Sequence, residues 1–167
     1  VTLPEIRFAS GLTNTGTELH FAGQDQSVSS VWRTDGTPGG TRRLLSFEQG
    51  TGSLSAFHRA GDFVYFQLGG SALWKTDGTP AGTTPVLHAD EMSNWIGFRG
   101  ALYFVAPTSY NDRGLWRTDG GAPTLIADFL GTREDLYFTV EGNPLRIWRD
   151  RLYFAATSAN EGSELWS

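Results

Sequence analysis

The stretch LWKTDGTPAGT, Leu73 to Thr83, decides how the rest of the chain is read. Taken alone it has the content of a catalytic loop: an aromatic ring, a lysine, a carboxylate, two glycines and three threonines in eleven residues. Forty-two residues earlier the chain reads VWRTDGTPGGT (Val31–Thr41), and 42 residues later LWRTDGGAPT (Leu115–Thr124). The last residues are ELWS (Glu164–Ser167). A segment that recurs at a fixed spacing is architecture, so the motif is read as a repeated building unit and not as a site.

Three further landmarks recur around it. LHF (Leu19–Phe21), VYF (Val64–Phe66), LYF (Leu102–Phe104) and LYF (Leu152–Phe154) precede the four Trp motifs. Ahead of these lie EIRFASG, LSAFHRAG, WIGFRG and RIWRD, and after the first three Trp motifs come TRRLLSF, TTPVLHA and PTLIADF. Each run is short, rich in aromatic and β-branched residues, and bounded by Gly, Asp, Asn or Pro, which are strand signals. No window shows a helical period over eleven or more residues. Four strands in a unit of roughly 40–45 residues match the blade of a β-propeller.

The expected fold is therefore all-β and β-propeller-like, with about four blades of four-stranded antiparallel sheet and three and a half units in the chain. It is read as one domain, residues 1–167, with units at 4–47, 53–88, 93–127 and 144–167 and an insertion at 128–143 that carries the strand-like run DLYFTV. In the TDGT motif, Asp-Gly is expected to form the centre of a type I′ hairpin, where both residues need positive φ. The repeat anchors are Trp32, Asp35 and Gly36; Trp74, Asp77 and Gly78; Trp116, Asp119 and Gly120; and Trp166. Each Trp is expected to bury on the order of 200 Å² against an adjoining blade.

With LWKTDGTPAGT, VWRTDGTPGGT, the final ELW and the recurring LYF in view, the chain resembles the ELWxxDGT-repeat family of large bacterial surface or secreted proteins. The resemblance implies a propeller-like fold, an extracellular or cell-surface location, and binding rather than one defined reaction. Copy three departs from the pattern with Gly121 in place of the second Thr, and copy four stops at Ser167. Completion of the last blade is expected from Val1–Leu3, with Pro4 leaving little room, from a neighbouring chain, or from a longer array.

Composition narrows the function. Hydrophobic content of 39% with 13% aromatics supports a folded core. A net charge of −5 gives no electrostatic reason to expect nucleic acid or an anionic membrane as partner. There is no cysteine, hence no disulfide and no thiolate zinc site. No apolar run approaches the roughly 18 residues of a membrane span. The chain begins at Val1 without an initiator Met, as expected of a processed or excised piece of something longer.

In an up-and-down blade, the strand one–two and three–four turns share one face, and the two–three loops and blade-to-blade links share the other. The second face receives GQDQSVSS (23–30), HADEMSN (88–94), APTSYNDRG (106–114) and ATSANEGS (156–163). Its polar and aromatic side chains are the expected ligand rim: Asp25, Gln26, Asp90, Glu91, Asn94, Tyr110, Asn111, Asp112, Arg113, Asn160 and Glu161. Such a mixture suits a lectin-like surface for glycan or protein.

Catalytic readings are weaker. His20, His58 and His88 lack the close spacing of a metal triad. Rim carboxylates Asp90, Glu91, Asp112 and Glu161 could form a glycosidase pair, as any acidic rim could. YNDRG and HADEMSN offer oxygen ligands for calcium without the spaced acidic pattern of a calcium loop. The expectation is a non-catalytic binding or adhesion module without a cofactor; the alternatives are a structural repeat assembling a larger particle and, third, a glycan hydrolase.

Overall fold

In the computed structural model the described residues are 6, 8–25, 28–109, 112–129, 145–158 and 162–167. Among them are fifteen strands and no helix. The first sheet holds β1 (Phe8–Asn14), β2 (Leu19–Asp25), β3 (Val28–Thr34) and β4 (Arg42–Ser46). The second holds β5 (Leu54–Ala60), β6 (Phe63–Leu68), β7 (Ala72–Thr76) and β8 (Thr84–His88). The third holds β9 (Ser93–Phe98), β10 (Ala101–Pro107), β11 (Arg113–Thr118) and β12 (Thr124–Phe129). The fourth holds β13 (Arg146–Trp148), β14 (Arg151–Ser158) and β15 (Gly162–Trp166). Every neighbouring pair is antiparallel and sequential, so each sheet is a simple meander. The segment DLYFTV lies outside the described residues.

The recurring landmarks meet across strands. Phe21 pairs with Trp32, Phe66 with Trp74, Phe104 with Trp116 and Phe154 with Trp166. Opposite each of the first three Phe residues the first strand of the sheet carries a bulge, and the first residue of the bulge has positive φ: Gly11 at 64°, Ala56 at 52° and Asn94 at 56°. The second bulge residue then stacks on the Phe: Phe57 on Phe66 at 5.2 Å, and Trp95 on Phe104 at 5.4 Å. A bulge kinks the strand and re-aims a side chain. Here it turns a third ring into the Phe–Trp row.

These rows face the preceding sheet, and the cores lie between consecutive sheets. Val31, Leu44 and Phe47 of the first unit pack against Leu54, Phe57, Val64 and Phe66 of the second. Tyr65 and Leu73 of the second pack against Leu102 and Phe104 of the third. Leu115 of the third packs against Leu145, Leu152 and Phe154 of the fourth. A sheet covered on both faces needs apolar residues at successive positions, which is why β6 reads FVYFQL without alternation. Close approach is enforced by backbone: a Cβ on Gly97 would lie 2.3 Å from the Arg59 carbonyl oxygen, so β9 and β5 touch main chain to main chain.

The TDGT turns differ from expectation. Type I′ requires positive φ at both central residues, yet only Gly36 (91°) and Gly78 (87°) have it, not Asp35 or Asp77. The connection is a seven-residue loop in which Asp35 Oδ1 accepts from the Thr37 amide at 2.9 Å and hydroxyl at 2.7 Å. Thr37 Oγ1 in turn accepts from the Gly40 amide at 2.9 Å. The Asp77–Thr79–Gly82 loop repeats these bonds at 2.9, 2.7 and 3.0 Å. Asp captures local amides better than it adopts left-handed backbone, so the side chain organises the loop. Two-residue turns with positive φ at both positions do occur, at Arg99–Gly100 (46°, 78°) and Arg149–Asp150 (46°, 57°).

Several segments expected as long loops are partly strand. Of GQDQSVSS, Gly23–Asp25 belongs to β2 and Val28–Ser30 to β3. APTSYNDRG and ATSANEGS likewise give their ends to β10, β11, β14 and β15. Polar residues continue a ladder because its bonds come from the backbone, and Ser30, 3% exposed, is satisfied by the Ser46 hydroxyl at 3.0 Å.

Candidate functional site

The expected rim is only partly assembled by the described residues. Asp25 closes β2 opposite Val28. Asp90 and Glu91 are exposed in the link between β8 and β9. Asn94 is the bulge residue at φ 56°, its amide donating to the Ser93 hydroxyl at 3.3 Å, so its backbone serves the sheet. Arg113 donates to the Glu91 carbonyl at 2.8 Å and pairs with the Glu91 carboxylate. Asp112 accepts from the Ser109 hydroxyl at 2.7 Å. Gln26, Tyr110, Asn111, Asn160 and Glu161 lie outside the described residues. Of the histidines, His88 meets Ser71 at 3.5 Å and His58 stacks on Trp95 at 6.1 Å. Among the described residues no group of three or more His, Asp or Glu side chains could hold a metal ion, and no helix is long and apolar enough to cross a membrane.

The repeat anchors form a gradient. Trp32 is buried at 8% exposure, Trp74 and Trp116 are half-buried, and Trp166 is 40% exposed. The burial expected of Trp166 is thus incomplete: Trp74 has the Phe47 ring edge-on at 5.0 Å from the preceding unit, whereas Trp166 faces a cleft of about 740 Å³ bordered by Ile126, itself 51% exposed.

The opposite, turn-bearing face holds a polar constellation that no motif announced. Between the first two sheets, His20 in β2 is 3% exposed, and its Nε2 lies 3.5 Å from Glu18 Oε2. Glu18 also binds Arg33, at 2.7 Å through Oε1. Gly78 of the next TDGT loop sits over this trio, where a Cβ would stand 3.4 Å from His20 Nε2. Burial holds the His20 pKa below its ordinary value, against the raising effect of Glu18, so the ring is neutral at pH 7. Asp77 is held low chiefly by the Thr79 hydroxyl, Asp35 by that of Thr37, and Asp119 by Arg117. The same reach from one unit to the next recurs further along. Lys75 donates to the Gly120 carbonyl, and burial raises the Tyr65 hydroxyl, beside Thr118, to about 12. Sequence could have signalled this only by alignment of units: His20 stands where the others have Tyr65, Tyr103 and Tyr153, and Arg33 where they have Lys75 and Arg117.

Compared with models of known protein families the chain matches none, and no curated protein matches it either.

Proposed function

We propose that the chain is a β-propeller-like repeat module of a bacterial surface or secreted protein, non-catalytic, whose work is assembly through the open end of its sheet series. One observation carries this. Val31, Leu73 and Leu115 are the residues before the Trp in β3, β7 and β11, and each is 0–1% exposed because the following sheet covers it. Leu165, in the same place in β15, is 74% exposed. An apolar side chain that three units bury calls for a further sheet of the same kind.

The occupant is a sheet of this same repeat, and a second copy of this chain supplies one. The matching half of the interface is present on the first sheet: Leu12 precedes the Thr13–His20 pair as Phe57 precedes His58–Tyr65 and Leu145 precedes Arg146–Tyr153, and Phe57 and Leu145 are 9% and 1% exposed, yet Leu12 is 64% exposed. Leu165 of one copy and Leu12 of the next thus continue the contact already made between sheets inside the chain. Such a head-to-tail contact is heterologous, and its rotation decides between a ring and a filament. The likeness to ELWxxDGT repeats supports the surface location. The long-loop face supports glycan or protein recognition less, because Glu91, Arg113 and Asp112 engage neighbouring groups of the same face.

Light scattering across a concentration series tests the reading. Wild type is expected above the 18.3 kDa of one chain, and Leu165→Arg at 18.3 kDa. A wild type that stays at 18.3 kDa at every concentration refutes it.

A further inference from the structure

The TDGT-type loops of the second and third units each rest on the sheet before them. Gly78 lies over the first sheet, where a Cβ would stand 3.4 Å from His20 Nε2 and 3.5 Å from Arg33 Nη1 and Glu18 Oε2. Gly120 lies over the second sheet, where a Cβ would stand 2.4 Å from the Phe63 ring. The landing place is the same in both: Glu18 and Phe63 stand two residues before the second-strand rings His20 and Tyr65. Gly36, in the loop of the first unit, has nothing within 4 Å of its Cβ position. We propose that this uncovered loop, Asp35–Gly36, docks on the fourth sheet of a second copy, with Arg151 as the ionic partner of Asp35. The inference rests on the assembly reading above and names the polar contact that orients it.

The first support is position. Arg151 stands two residues before Tyr153, as Glu18 and Phe63 stand before His20 and Tyr65. Strand alternation puts Arg151, Tyr153 and Ala155 on one face of β14, and Ala155 pairs with Leu165. The landing place and the exposed leucine therefore share a face. Leu152 and Phe154 point the other way, into the core shared with the third sheet.

The second support is charge. Both docks inside the chain offer the arriving loop a cation from the residue after the Trp. Arg33 lies against the Gly78 position, and Lys75 donates to the Gly120 carbonyl oxygen. In the fourth unit that place holds Ser167, and the cation stands on the neighbouring strand instead, as Arg151. Among the described residues the Arg151 side chain has no ion pair or hydrogen bond, and the adjacent Asp150 is held by Arg99.

The third support is where the loop carboxylates lie. Asp77 borders the same small cavity as Glu18 and His20 of the preceding sheet. Burial is the largest influence on the pKa of His20 and of Tyr65, yet the charges of Asp77 and Asp119 reach these rings from the next unit, each acting to raise it. Asp35 makes the same loop bonds as Asp77, both through Oδ1, so the loop arrives with its carboxylate in the same orientation. A charge pair across an interface fixes register and excludes wrong partners.

Sedimentation equilibrium of the full chain in about 50 mM NaCl, where screening is weak, tests this as a double-mutant cycle. Arg151→Gln removes the cation, and Asp35→Asn removes the charge while keeping an Oδ1 acceptor for Thr37. Each single variant is expected to weaken association roughly tenfold, and the double variant no more than either alone, because both remove one contact. An unchanged association constant in Arg151→Gln, or single losses that multiply in the double variant, overturns the proposal. Such a result with Leu165→Arg still monomeric leaves the assembly reading standing, whereas a wild type that never associates overturns both.

Discussion

Trp74→Ala tests the packing on which the fold rests. Full burial of an indole removes on the order of 200 Å², worth about 5 kcal/mol at roughly 25 cal/mol per Å². Trp74 is half-buried and the unfolded chain already shields some apolar surface, which brings this part to about 2–3 kcal/mol. Its two ring contacts, Phe47 edge-on at 5.0 Å and Phe66 stacked at 6.4 Å, add about 0.5–1.5 kcal/mol each. These parts sum to about 3–6 kcal/mol, and the range typical of Trp truncation in a core narrows the expected loss to about 3–5 kcal/mol. At roughly 2–4 °C per kcal/mol for a chain of this size, the melting temperature should fall by about 6–20 °C. Trp166→Ala is the internal control. It occupies the equivalent place but is 40% exposed and, among the described residues, stacks only on Phe154, at 6.4 Å, so about 1–2 kcal/mol is expected. Urea and thermal unfolding followed by far-UV circular dichroism measure both variants. Equal losses in the two, or a Trp74→Ala protein that melts like wild type, would refute the claim that contact between successive sheets makes the core.

Gly97→Ala should cost about 1–3 kcal/mol by calorimetry, because its Cβ meets main chain at 2.3 Å, while Gly39→Ala, with nothing within 4 Å, should melt as wild type does. Acidification should destabilise the fold. Burial lowers the pKa of His20 and of His58, so the unfolded chain binds more protons in the window below about 6.5, and stability present above that pH is lost as pH falls through it. The double variant His20→Gln/His58→Gln should flatten that slope in urea midpoints taken from pH 7.5 to 5, and an unchanged slope would exclude these two groups as its source.

The strands were legible because their signals are local. FVYFQL between Gly61-Asp62 and Gly69-Gly70 can be little else, and recurrence of WRTDGT and WKTDGT placed the third strand and its turn in each unit. The turn type was misjudged where side-chain chemistry outcompeted backbone propensity. Asp-Gly suggests a two-residue hairpin, yet a Thr two residues beyond each Asp and a Gly five residues beyond it, at Gly40 and Gly82, let the carboxylate fold back on the loop. A Cβ on either glycine would stand 2.0 or 2.1 Å from that carboxylate. The loops on the other face were read as too long because polar residues in 23–30 and 106–114 suggested coil, whereas pairing there needs only main chain.

The sequence by itself determined the four-strand meander, its repeat and the aromatic partners, since alternation, turn residues and spacing act within a few residues or between adjacent strands. Only the tertiary structure decided which apolar residues are covered and which polar ones converge. Leu73 and Leu165 precede the same Trp in the same motif, yet one is 0% and the other 74% exposed. His20, Arg59 and Asp77 lie far apart along the chain and meet at one cavity. Both outcomes depend on how one sheet stacks on the next, an interaction between surfaces that no single repeat contains.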